Sequence, residues 1–240
     1  MHRATGRLEP SDRSRSLFPG RARVSNDREN HLSLGKNGSR SSWHESSASG
    51  SIFKCEVAEI IMLKLGETVL VIIDVQGKLA QLMHKKEELF ENLQKIIKGA
   101  RVLEIPIIWL EQNPEGLGTT VPEVSNLLGD IKPISKFSFS CCGDERFVST
   151  LNSCNRKQVL LAGIETHICV YQTAADLVAS GYEVQIVTDA VSSRTKHNKK
   201  IGLERIKEVG ASLTSTETAL FELLRTAKAE KFKEVARIVK

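Results

Sequence analysis

Val159-Leu-Leu-Ala-Gly-Ile-Glu-Thr-His-Ile-Cys169-Val170 is the stretch on which the reading of this chain turns. Val159 to Ala162 is an apolar run with the length and composition of a buried strand, and Gly163 interrupts it. A helix is predicted to begin near His167, with Thr166 as its N-cap, since a threonine hydroxyl accepts a bond from an orphan backbone N–H of the first turn. Cys169 then falls within that turn, where free N–H groups and the helix dipole favour negative charge. A thiolate is stabilised in such a place, and the thiolate is the nucleophilic form of cysteine. Cys169 is therefore the first candidate for chemistry.

Working outward, strands and helices alternate. Thr68-Val-Leu-Val-Ile-Ile-Asp74 is a continuous β-branched run, as expected of a parallel strand covered on both faces. Lys86 to Arg101 follows, with Leu89, Phe90, Leu93, Ile96 and Ile97 at helical spacing. Pro106 to Leu110 reads as a second strand, with proline at its first residue, where a missing N–H matters least. Ile131 to Phe137 reads as a third, and a short helix over Glu145 to Ser153 leads into the stretch quoted above. The helix from His167 is expected to stop at Gly181, a suitable residue just past a helix end. Glu183 to Thr188 is the next strand, Lys196 to Val209 a helix closed by Gly210, and Ala211 to Leu213 a short last strand. Thr214-Ser-Thr-Glu217 resembles a capping box opening a helix that runs through Leu224. A terminal helix covers Lys231 to Val239. This succession predicts an α/β fold: a three-layer αβα, Rossmann-like domain over residues 62–240, built on a mostly parallel sheet of about six strands.

Residues 1–61 differ from all that follows. Segments such as Arg13-Ser-Arg-Ser16 and Gly38-Ser-Arg-Ser-Ser42 are polar, broken by glycine and proline, and lack a sustained apolar period. Such a chain buries too little surface to offset its ordering entropy, so a disordered leader is expected, with Met62 as the natural start of the protein. Its Arg/Ser content resembles an organellar transit peptide, but Glu9, Asp12, Asp27 and Glu29 count against that.

The charged fraction of 26% and hydrophobic fraction of 40% point to a soluble globular class. A net charge of +5 is too small an excess to argue for nucleic acid by itself, and aromatics are only 5%. No apolar run reaches the ~20 residues that a membrane-spanning helix needs. The five cysteines, Cys55, Cys141, Cys142, Cys154 and Cys169, form neither a disulfide ladder nor a CxxC pair. Reduced thiols in a cytoplasmic protein are expected.

In a doubly wound sheet, sites are built at the carboxyl ends of strands. Asp74 ends the first strand, Glu111 follows the second, Lys136 lies near the end of the third, and Glu165 to Cys169 follow the fourth. Asp74 directly after Val-Ile-Ile borders a dry core, although it would also serve simply to cap the next turn. An Asp, a Lys and a Cys brought together there are chemically coherent: the ammonium holds thiolate and carboxylate, and the carboxylate takes the thiol proton. Glu111 contacts substrate or merely ends its strand. Gln76 bonds backbone near the pocket, and His167 sits at its mouth; both are counted as possible pocket residues. Asp189, Ser192, Ser193 and Arg194 are read as a turn after the fifth strand. Cys141, Cys142 and Cys154 are read as structural thiols.

Ile73-Asp74-Val75-Gln76, Lys136 and Gly163-Ile-Glu-Thr-His-Ile-Cys169 together resemble the signatures of the isochorismatase-like cysteine hydrolases, a family that includes nicotinamidases and N-carbamoylsarcosine amidases. Glu111-Gln-Asn-Pro-Glu-Gly-Leu-Gly118 and Ser135-Lys-Phe-Ser-Phe-Ser140 are similar to the isochorismatase-domain-containing subgroup, and the resemblance spans Leu65 to Lys240. It implies a catalytic triad of Asp74, Lys136 and Cys169, in which the cysteine attacks the carbonyl of a small non-peptide amide and passes through a thioester. It also implies a cis peptide between Ile164 and Glu165, with the N–H groups of Glu165 and Cys169 forming the oxyanion hole. A small-molecule substrate, no cofactor and a homo-oligomer of two or more subunits are further expectations from the resemblance.

The chain departs from the family pattern in one respect. The nicotinamidases carry a metal held by Asp and several His after the second strand, whereas Glu111-Gln-Asn-Pro-Glu115 has no histidine, so no metal is expected. Other classes fit less well. No GxGxxG follows a strand, which disfavours a dinucleotide enzyme, and no second cysteine lies at short spacing to Cys169 for redox exchange. A non-catalytic scaffold that keeps the fold is the remaining rival.

Overall fold

A computed structural model describes residues 62–240. The expected disordered leader and the part of the chain before Met62 lie outside the described residues. In chain order the elements are β1 (Thr68–Ile73), α1 (Gly77–Gln81), α2 (Lys86–Val102), β2 (Ile107–Gln112), α3 (Pro114–Leu117), α4 (Pro122–Ser125), β3 (Ile134–Lys136), α5 (Glu145–Ser153), β4 (Gln158–Ile164), α6 (Tyr171–Ala179), β5 (Glu183–Ser192), α7 (Lys196–Glu208), β6 (Ser212–Thr214), α8 (Thr216–Leu224) and α9 (Phe232–Val239).

Every strand pairing is parallel, and the strands lie in the order β3-β2-β1-β4-β5-β6. Side chains of a strand alternate between faces, and β1 divides its apolar residues accordingly. Leu70 and Ile72 join the core under α2, α8 and α9, while Val69, Val71 and Ile73 join the core under α5, α6 and α7. An all-apolar central strand is thus what a sheet covered on both faces requires, and the three-layer αβα expectation holds.

The chain winds outward from β1 in one direction through β2 and β3, then returns to β1's other side with β4 and continues to β6. The carboxyl ends of β1 and β4 are therefore the switch point, where a crevice opens because successive connections leave on opposite sides. Gly163 sits at this point, paired with Ile73, at φ 119°. A Cβ there would lie 2.1 Å from the Ile73 carbonyl oxygen, so only glycine lets the two strands meet at this register.

Several element boundaries differ from expectation. β2 runs two residues beyond Leu110, to Gln112, which keeps Glu111 and Gln112 in the sheet beside β3. The third strand is only Ile134–Lys136, because Pro133 cannot donate to a ladder. β5 continues to Ser192 across a register shift against β4, so Asp189 is within the strand and not at its end. Its carboxylate accepts from the N–H and hydroxyl of Thr216, both at 2.9 Å, and so holds the start of α8. The N-cap of α8 is Ser215, one residue later than the capping-box reading, with its hydroxyl accepting from the Thr218 N–H. Among the described residues no helix is long and apolar enough to cross a membrane, and Cys141, Cys142, Cys154 and Cys169 are free thiols.

Candidate active site

Asp74 leaves β1 with φ 54°, a left-handed conformation that aspartate tolerates better than bulkier residues, and its carboxyl group is buried. Lys136 closes β3 opposite Gln112 and is 0% exposed. Its Nζ donates to Asp74 Oδ2 at 2.7 Å and to Gln112 Oε1 at 2.8 Å, with the Ser138 and Phe139 carbonyl oxygens at 3.2 and 3.3 Å. A buried ammonium is costly unless its protons all find acceptors, and here four oxygens surround three of them. The second carboxylate oxygen, Asp74 Oδ1, is buried with no hydrogen-bond partner.

Cys169 reaches this pair from the other side of the switch point. The predicted helix start at His167 is replaced by a wide π-type turn, Thr166–Val170, followed by α6. The Val170 N–H reaches back five residues to the Glu165 carbonyl oxygen at 3.3 Å, where an α-helix would close on four. The Thr166 N-cap expectation fails for the same reason: Thr166 is the first residue inside the turn, and its buried hydroxyl has no partner. The Ile164–Glu165 peptide is cis.

The expected resting thiolate is also corrected. Cys169 is 7% exposed, and its thiol is pushed up to about 12, first by burial and then by the Asp74 charge, which together outweigh the downward pull of Lys136. Burial likewise holds the Asp74 carboxyl above its ordinary value, against Lys136 and the neighbouring thiol. The sulfur and the carboxylate are near enough to perturb each other, yet no hydrogen bond of ordinary geometry to Oδ1 is completed. Burial thus favours the protonated form of the thiol, beside a carboxyl group that Lys136 holds at Oδ2.

Asp74, Glu165 and Cys169 share the wall of a cavity of about 180 Å³. Its apolar lining comes from Leu79, Leu117, Phe139, Ile164 and Ile168. The size lies below the ~300–1,000 Å³ of pockets for drug-sized ligands, so the site suits a small molecule.

The remaining sequence candidates are placed as follows. The Glu165 carboxylate is fixed by Arg194, whose backbone N–H and Nε each donate at 3.0 Å. His167 Nδ1 lies 3.0 Å from Ser193 Oγ, so His167 and Arg194 both join the segment after β5 to the turn bearing Cys169. Gln76 is wholly buried, and its amide is spent on backbone: Oε1 accepts from the Gln112 N–H at 2.6 Å, and Nε2 donates to the Gln112 and Gly118 carbonyl oxygens. Glu111 accepts from the N–H and hydroxyl of Thr120 and pins the segment that follows α3. Gln76, Glu111 and His167 are thus outside the cavity lining, whereas Gln112, to which the sequence reading assigned no role, is part of it. Its signal lay one residue past Glu111, but only the β2–β3 register brings it beside Lys136. Cys141 is fully buried, its thiol raised by burial, and Cys142 is pushed up to about 11 for the same reason. Among the described residues no three His, Cys, Asp or Glu side chains are clustered as metal ligands.

Comparison with known proteins agrees with this architecture. Residues 68–218 match the model of the isochorismatase domain. The chain is 39% identical over 178 residues to isochorismatase domain-containing protein 2 of Xenopus laevis, covering 73% of this chain and 86% of that protein. It is equally identical over the same length to the secreted isochorismatase effector Isc1 of Phytophthora sojae, covering 72% of this chain and 84% of that one. Among solved structures, the MAR1 ribonuclease of Caenorhabditis elegans superposes with a TM-score of 0.71 at 35% identity, over 75% of this chain and 92% of that one. The Escherichia coli YcaC gene product, described as an octameric hydrolase of unknown specificity, has the same fold, with a TM-score of 0.71 at 22% identity over 74% of this chain and 89% of that one. With a six-stranded parallel sheet, a crevice at its switch point and a domain match over most of the described residues, this chain belongs to the isochorismatase family.

Proposed function

We propose that this protein is a cysteine-dependent hydrolase of a small non-peptide amide or related C–N bond, working through a thioester without a cofactor. The observation that carries the reading is the buried Asp74 carboxylate, held at Oδ2 by Lys136 with Oδ1 unpartnered, beside Cys169 on the wall of a small cavity.

The chemistry follows from the protonated resting state. As Sγ of Cys169 bonds to the carbonyl carbon, its proton passes to Asp74, whose Oδ1 is the open acceptor. Lys136 stabilises the carboxylate beforehand and keeps it oriented. The N–H groups of Glu165 and Cys169 receive the negative charge on the carbonyl oxygen, where each donor is worth ~2.7–4 kcal/mol in the transition state. Collapse breaks the C–N bond, and Asp74 returns the proton to the departing amine or ammonia. Water then attacks the thioester, giving up a proton to Asp74, and the acid leaves as the thiol is restored. Generating the thiolate only on attack reconciles a thiol pushed up to about 12 with a nucleophilic role.

The raised thiol is also what a scaffold without catalysis would show, and that is the second reading. A third comes from the Caenorhabditis elegans relative, whose name describes a ribonuclease; against RNA stand the small cavity and its apolar lining. A panel of small amides and ureides, with an RNA substrate included, assayed with wild type and Cys169→Ala, separates the three. Turnover of an amide by wild type, lost at least ~10³-fold in a folded Cys169→Ala, is the expected result. Equal turnover in the variant defeats the nucleophile assignment; silence on every amide leaves the scaffold, and cleavage of RNA alone the ribonuclease. We further propose that the protein works as a homo-oligomer, in the manner of the octameric neighbour.

A further inference from the structure

We infer that the cavity selects an uncharged substrate with an apolar body and excludes anionic ones, a conclusion that rests on the amide-hydrolase reading above. The reason is the distribution of charge around the nucleophile. Among the described residues, the cavity lining contains no Lys, Arg or His, while its two ionisable oxygen acids, Asp74 and Glu165, are both carboxyl groups. Lys136 offers nothing to a ligand: it is 0% exposed, and Asp74, Gln112 and two carbonyl groups occupy its donors. Arg194 is not part of the cavity lining, and its backbone N–H and Nε are bonded to the Glu165 carboxylate.

A carboxylate or phosphate entering the cavity would therefore lose its hydration without gaining a cation, and would face like charge at both acidic groups. A cation would lose its hydration as well, with only the one open oxygen of Asp74 to offset the loss. A neutral amide meets neither penalty. Its apolar portion has Leu79, Leu117, Phe139, Ile164 and Ile168 to pack against, and its polar end has the groups at Asp74 and Cys169. The same distribution turns away the polyanionic backbone of RNA and small carboxylated metabolites.

The test uses two reagents of nearly equal size and different charge on the intact wild-type protein. Iodoacetamide is neutral and iodoacetate anionic, and each alkylates the same sulfur, so their rate ratio at one cysteine cancels that thiol's own protonation state. Labelling is followed by peptide mass spectrometry at Cys169 and, as internal reference, at the half-buried Cys154. The iodoacetamide-to-iodoacetate ratio at Cys169 is expected to exceed that at Cys154 by ~10-fold or more, equivalent to ~1.4 kcal/mol of charge discrimination. Leu117→Lys, which adds an ammonium to the wall, is expected to shrink the excess. Equal ratios at the two cysteines, or faster labelling of Cys169 by iodoacetate, would overturn the charge selection and leave the nucleophile assignment standing. If neither reagent labels Cys169 even at alkaline pH, where the thiolate is available, the cavity does not admit ligands to the sulfur, and both readings fall.

Discussion

Cys169 is held in a setting that opposes the ordinary chemistry of its side chain. Its thiol is moved from 9.0 to about 12, chiefly by burial and then by the charge on Asp74. The folded protein thus holds this proton more tightly than the unfolded chain does. The resulting stability is fully present below the unfolded value and is lost as pH climbs toward the folded one. Cys142, pushed up to about 11, and the buried Cys141 act in the same direction. Unfolding free energy is therefore expected to fall between pH ~9 and ~11, with the buried Cys141 and Cys169 each adding up to ~1.4 kcal/mol per pH unit and the part-exposed Cys142 less, because solvent screens it. Urea titrations across that range check it: Cys169→Ala, with one group fewer, should show a shallower decline, and a slope equal to wild type would contradict the burial argument. The convergence of Cys169, Asp74 and Lys136 was foreseeable in the sequence, because an acid, a base and a thiol at strand ends are visible as residue types. It missed the protonation state, because desolvation depends on neighbours from other parts of the chain.

At the scale of elements, the decisive piece is the wide turn Thr166–Val170, and α7 is packed directly against it. A Cβ on Gly202 would lie 2.7 Å from the His167 nitrogen and 2.7 Å from the Thr166 carbonyl carbon, both backbone atoms that cannot swing aside. Gly202→Ala is accordingly expected to push α7 and the turn apart, at a cost of ~1–3 kcal/mol. If the turn positions the nucleophile, turnover should fall more than stability alone would dictate; thermal melts combined with kcat on the same variant make the comparison, and unchanged values of both would contradict the close packing. The turn also marks where pattern reading failed. Thr-His-Ile-Cys after a glycine carries every local sign of an ordinary helix start, and helical spacing does not distinguish a four-residue closure from a five-residue one. The short β3 and the extension of β5 escaped for a related reason, since their lengths are set by pairing with β2 and β4.

For the molecule as a whole, two apolar layers are sealed against one sheet, and the last helix closes one of them. Val235 of α9 is 0% exposed within the layer that also holds Leu93, Ile96 and Leu220. Phe232 meets Phe221 of α8 with ring centroids 6.2 Å apart. Val235→Asp buries an unpaired carboxylate there and is expected to cost ~2–5 kcal/mol, measured as a lower urea midpoint. Because Val235 packs in the apolar layer that does not contain Cys169, kcat of the fraction that remains folded should stay near wild type. A loss of kcat without loss of stability would mean that α9 is coupled to the site.

The βαβ succession, the two-sided burial of β1 and the three residue types of the site were legible in the chain itself, because periodicity and strand-end position are local properties of sequence. What the tertiary structure alone decided is relational. Strand order put Asp74 and Cys169 at one switch point, register set Gln112 beside Lys136, and packing of α7 on the turn accompanied a five-residue closure. Gln76 and Glu111 became struts of the site's frame because the backbone groups they satisfy belong to segments distant in sequence. Charges and hydrogen bonds act through space, and which groups become neighbours is known only once the layers have closed.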